Sequence, residues 1–137
     1  MLLVDATGAS DTRFHKIDAA LMDLIYGSTE AVFINRSVGN GVFTYTEAKL
    51  KQASEAAKYH FPITTIRLAN CDTAEEVKAL ALKNGGIVIV DEAQDIDRIE
   101  GTAEALRALE SPYIKFVYVA VVHGDDMLQM LEEALSL

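Results

Sequence analysis

The chain has 137 residues, half of them apolar, and a net charge of −9. Such a length fits one domain with a real core, the composition excludes disorder, and the charge argues against unaided binding to nucleic acid. No apolar run approaches the roughly 20 residues of a membrane span, the amino end Met1-Leu2-Leu3-Val4-Asp5 lacks the marks of a secretory signal, and the lone Cys71 forbids an internal disulfide and fits a reducing cytoplasm.

Residues 2–5 read as a short apolar strand, followed by the loop Ala6-Thr7-Gly8-Ala9-Ser10. Asp11 can cap the next helix, whose inner face is Phe14, Ile17, Leu21, Leu24 and Ile25. A second strand is expected over residues 31–38. Gly39-Asn40-Gly41 then reads as a turn from which Val42-Phe43-Thr44 pairs back as a hairpin arm. Thr44 and Glu47 have capping-box spacing and start a second helix, with Ala48, Ala53, Ala56 and Ala57 inward. Pro62 breaks it, and a third strand is expected over residues 63–69. Thr73 and Glu76 form another capping box, with Val77, Leu80 and Ala81 facing the core.

Gly85-Gly86 releases the chain into Ile87-Val88-Ile89-Val90, a strand pattern buried on both faces, which ends in Asp91-Glu92-Ala93-Gln94-Asp95. Ile99, Ala103, Leu106 and Leu109 make a fourth helical stripe. Residues 114–122 form the longest strand candidate, and Gly124-Asp125-Asp126 caps a last helix. Strand and helix therefore alternate five times. This predicts a single three-layer α/β/α domain with a mainly parallel five-stranded sheet over residues 1–137.

Ligands in such folds bind at the carboxyl ends of the strands, where Asp91 and Glu92 fall. Four apolar residues followed by Asp-Glu-Ala-Gln-Asp resemble the Walker B segment of P-loop ATPases, most closely superfamily 1 helicases. The resemblance implies that Asp91 holds magnesium and that Glu92 polarises the nucleophile. Val122-His123-Gly124-Asp125-Asp126 is similar to the family's Gly-Asp sensor segment, with Gln129 one position later than the pattern wants. The matching phosphate loop is expected after the first strand. There Thr7-Gly8-Ala9-Ser10-Asp11-Thr12 lies on T-G-x-G-K-T with Gly8 and Thr12 in agreement. Ser10 replaces a glycine and Asp11 the lysine, exchanging a favourable charge for an unfavourable one at roughly 4 kcal/mol per unit pair at 4 Å.

The expected function is a degenerate P-loop ATPase-like domain without efficient nucleotide hydrolysis that binds a protein partner or a second copy. The residues alone name no cofactor; magnesium with nucleotide is what the resemblance implies. One alternative is a magnesium-dependent nucleotide enzyme using Asp91 and Glu92. The other is an FMN-binding flavodoxin-like module, since Ala6-Thr7-Gly8-Ala9-Ser10 resembles that family's phosphate loop and Phe43 with Tyr45 is the one aromatic pair available. Strand order separates them. The P-loop resemblance expects the strand at 114–122 between the first strand and that ending at Asp91; the flavodoxin resemblance puts the first strand beside the third. Cys71 reads as a buried residue, His123 as an edge histidine, and Arg67 as the mark of a sheet edge or a carboxylate partner.

Overall fold

The computed structural model describes residues 2–7, 10–37, 39–57 and 60–136, with the side chains of residues 2 and 10–13 outside that description. The five strands are β1 (Leu2–Asp5), β2 (Glu30–Asn35), β3 (Ile63–Arg67), β4 (Gly86–Asp91) and β5 (Ile114–Val121). Between and after them run α1 (Ser10–Tyr26), α2 (Gly41–Ala56), α3 (Ala74–Asn84), α4 (Thr102–Leu109) and α5 (Asp125–Ala134), with short 3₁₀ turns at Leu68–Asn70 and Ala93–Arg98. Every strand pair is parallel, and the order is β1-β2-β5-β4-β3. The expected α/β fold with a parallel five-stranded sheet is therefore present. Among the described residues no helix is long and apolar enough to cross a membrane.

Alternation along each strand divides the core in two. Phe33, Ile87, Ile89, Val117 and Val119 face Ile17, Leu21 and Leu24 of α1 and Val42, Phe43 and Leu50 of α2. On the other face Val32, Ile34, Val88, Val90, Phe116 and Tyr118 meet Val77 and Ala81 of α3, Leu106 of α4 and Leu131 of α5. Parallel crossovers are right-handed, so the face a helix covers follows the direction in which the chain crosses the sheet. It moves one way through α1 and α2, then returns from the β3 edge through α3 and α4.

Several local expectations change. Val42-Phe43-Thr44 is the first turn of α2 and not a hairpin arm: the Thr44 N–H donates to the Asn40 carbonyl at 2.9 Å. Two β-prone side chains become helical because both then bury against the sheet, Val42 to 1% and Phe43 to 6% exposure. The inner face of α2 is accordingly Val42, Phe43, Thr46 and Leu50, while Ala48 and Ala56 are exposed. Leu80 is exposed on α3, whose first turn is held as expected by the Thr73 hydroxyl accepting the Glu76 N–H at 3.2 Å.

β5 lies between β1 and β4, as the P-loop resemblance expects, with β2 also standing between β1 and β5. The flavodoxin-like order is overturned, because β1 and β3 are opposite edges of the sheet.

Candidate functional site at the carboxyl edge of the sheet

Adjacent strands whose outgoing loops turn to opposite faces leave a crevice between them, and ligands of open parallel sheets bind there. Here β2 and β5 are such a pair. β2 leads to α2 on one face and β5 to α5 on the other. A cleft of about 470 Å³ opens at this place. Asn35 of β2, Gly39 and Asn40 of the next turn, and Val42 and Phe43 of α2 form one side. Asp91, Glu92 and Gln94 after β4, with Val119 and Val121 of β5, form the other.

The acidic strand end is held by its own backbone. Glu92 sits in the left-handed region at φ 57°, costly for a residue with a side chain and the kind of strain that gathers at functional sites. In that conformation its N–H donates to Asp91 Oδ1 at 2.9 Å. Gln94 Oε1 accepts the Val121 N–H at 3.0 Å and so ties the segment after β4 to the end of β5. Asp91 Oδ2 lies 3.8 Å from Nε of Arg67, which ends edge strand β3 and whose guanidinium sits 5.6 Å over the Phe43 ring. Arg67 is thus both a sheet-edge residue and a carboxylate partner. Burial raises the Asp91 carboxyl above its ordinary range and the charge of Glu47 adds to this, while the Glu92 N–H and Arg67 oppose it.

The expected phosphate-loop residues stand elsewhere. The β1–α1 turn is at the sheet edge, with β2 and β5 between β1 and the acidic end of β4. The Thr7 hydroxyl accepts the Arg36 N–H at 2.7 Å, and the Thr7 N–H donates to Asp5 at 2.9 Å. Gly8 lies outside the described residues. Ser10 and Thr12 fall in the first turn of α1, their side chains outside the description. Of the sensor-like group, Gly124 precedes α5, and Asp125 is 94% exposed with its carboxylate 3.5 Å from Arg36. Gln129 points along its own helix to Glu133 at 3.1 Å and does not line the cleft.

Thus only Asp91 and Glu92 of the expected residues meet in the cleft. Its other half is the β2–α2 turn, whose two glycines suggested a hairpin. What could have identified it is the strand before it: Glu30–Asn35 is buried at every position, as a central strand is, whereas Leu3 and Asp5 of the short β1 are exposed.

A magnesium ion at Asp91 does not fit this arrangement. Mg²⁺ needs one or two freely offered carboxylates besides waters and phosphates, and both Asp91 oxygens face a donor or a cation. Among the described residues no group of three or more His, Cys, Asp or Glu side chains could hold a metal ion.

Flavin stacking also lacks its aromatic pair. Phe43 is buried beneath Arg67, and Tyr45 stacks on Phe14 at 4.2 Å while donating to Asp18 at 2.7 Å. No family model, curated protein or solved structure matches the chain.

Proposed function

We propose that the chain is a degenerate P-loop ATPase-like domain that does not hydrolyse nucleotide efficiently and acts by binding a protein partner. The observation that carries this reading is the pairing, across one cleft, of an Asp-Glu strand end with a glycine turn that opens a helix without a cation. A P-loop runs strand, G-x-x-x-x-G-K-[ST], helix. Its glycine amides cradle phosphates, its lysine neutralises them, and its hydroxyl reaches the metal. With β2 as the strand, Arg36-Ser37-Val38-Gly39-Asn40-Gly41-Val42-Phe43 can be laid on that pattern with one of its four fixed residues kept. Gly41 agrees, and α2 begins there. Arg36 stands for the first glycine, Val42 for the lysine and Phe43 for the hydroxyl.

Two apolar side chains therefore occupy the positions that would carry charge and coordination, and both are buried against the sheet. A triphosphate brought here would meet Asp91 and Glu92 with no lysine in the turn, and Arg67 beside Asp91 is already paired with it. At roughly 4 kcal/mol per unit-charge pair at 4 Å near a protein surface, that loss outweighs what the helix amino end supplies, about 0.3–1 kcal/mol. The β1–α1 turn, with Thr7, Gly8, Ser10 and Thr12, serves this reading less well because two strands separate it from the acids. With catalysis gone, binding remains.

Turnover of ATP with magnesium tests the reading. The expected result is no phosphate release above that of the Glu92→Gln variant. Release by the native chain that disappears in Glu92→Gln would overturn it in favour of a magnesium-dependent enzyme.

A further inference from the structure

We propose that the cleft binds an uncharged planar lactam, the chemistry of an oxopurine such as hypoxanthine, through the side-chain amides of Asn35 and Gln94. The inference rests on the P-loop-like reading only in holding the turn closed to phosphate. A carboxamide carries an acceptor oxygen and an NH₂ group that only donates. In both residues the oxygen is already committed to the backbone. Asn35 Oδ1 accepts the Ser37 N–H at 2.9 Å, and Gln94 Oε1 accepts the Val121 N–H at 3.0 Å. A backbone N–H can bond only to the oxygen, so the orientation of each amide is fixed and its nitrogen is the end left over. Neither nitrogen has a partner among the described residues. Asn35 is 3% exposed and lines the cleft, so what little it shows to solvent it shows there. A buried donor without an acceptor is costly, and a ligand that accepts from it recovers that cost.

The two amides stand on either side of the end of β5. Asn35 is in register with Val121 from the β2 side, and Gln94 holds Val121 from the β4 side. Strands two apart are separated by about 10 Å, a width that suits a flat ring system laid across β5. Val119 and Val121 line the cleft there and supply an apolar floor. The Glu92 carboxylate also lines it and has no ion pair or side-chain hydrogen bond among the described residues. The ligand must therefore accept at two places and donate at a third. An oxopurine does so, with a carbonyl on one edge, ring nitrogens on the other and a lactam N–H for the carboxylate. A charged acid would accept equally well but would meet Glu92 and Asp91 as like charges.

Titration with inosine, followed through the side-chain NH₂ resonances of the labelled chain, tests the proposal. Saturable shifts of the Asn35 and Gln94 NH₂ pairs are expected below about 5 mM. Inosine methylated on the lactam nitrogen should bind several-fold more weakly, and inosine monophosphate no more tightly than inosine. Gln94→Glu and Asn35→Asp keep each oxygen for its backbone N–H and remove the NH₂; each should weaken inosine at least about tenfold. Gln94→Glu, at a half-buried position, carries the test if Asn35→Asp does not fold. No saturable shift with inosine would overturn the proposal, as would folded variants that bind it like the native chain. Failure to bind inosine without ATP turnover removes only the ligand named here. Inosine monophosphate binding tenfold tighter than inosine, or Glu92-dependent ATP turnover, removes the reading of a turn closed to phosphate.

Discussion

Glu30, at the start of β2, is 6% exposed, and its carboxylate is only partly answered: Oε1 lies 3.6 Å from Arg107 Nη1, while Oε2 has no partner among the described residues. Burial, then the neighbouring Glu110 carboxylate, lifts its pKa from the ordinary 4.5 to about 7, with Arg107 opposing. Glu110 also accepts from the Thr29 hydroxyl, and Arg107 donates to the Leu135 carbonyl just past α5. Below pH 4.5 the acid is protonated whether the chain is folded or not. Between 4.5 and about 7 only the folded chain keeps the proton, so stability falls as pH rises through that window and levels off above it. Glu30→Gln, neutral at every pH, should remove this part of the profile. Relative to the native chain it should gain up to about 3 kcal/mol at pH 8 over its value at pH 4. Urea unfolding at the two pH values measures the difference, and equal differences would contradict the assignment. None of this is visible in a linear reading, because Glu110 and Arg107 reach Glu30 only through the fold. Arg67 was legible as a sheet-edge residue or a carboxylate partner; that the carboxylate is Asp91 and that Phe43 lies beneath it was not.

At the scale of elements, β4 depends on how it begins. Gly86 has φ 73°, and a Cβ there would lie 2.3 Å from the Pro62 carbonyl oxygen. That carbonyl accepts the Ile87 N–H at 3.0 Å, so it cannot withdraw without losing the first bond between β3 and β4. Gly86→Ala should cost about 2–4 kcal/mol, whereas Gly124→Ala, with open space at its Cβ position, should cost far less. Thermal unfolding of the two variants separates them, and similar losses would contradict the close approach at Gly86. The glycine pair before this strand was readable as a release from the helix. The glycines at 39 and 41 carried no such distinction, since Gly-Asn-Gly suits a hairpin and a strand-to-helix turn alike. Burial of Val42 and Phe43 decided between them, and burial is a property of the assembled sheet.

For the whole molecule, the alternation of strands and helices followed from apolar runs and caps, which are local, and it survives in the structure. Strand order did not follow, because β2 and β5 become neighbours only when the chain crosses to the far edge and returns. That order sets which turn faces Asp91 and Glu92, and therefore which residues must be asked whether they could hold a phosphate. On the proposed reading that turn is the β2–α2 one, with Val42 and Phe43 in the places of the lysine and the hydroxyl. Amide chemical shifts of the labelled chain, followed while MgATP is raised to about 1 mM, test this most directly. The predicted result is no saturable change at Gly39–Phe43 or Asp91–Gln94. Saturable shifts gathered at both segments would show a working phosphate site and contradict it.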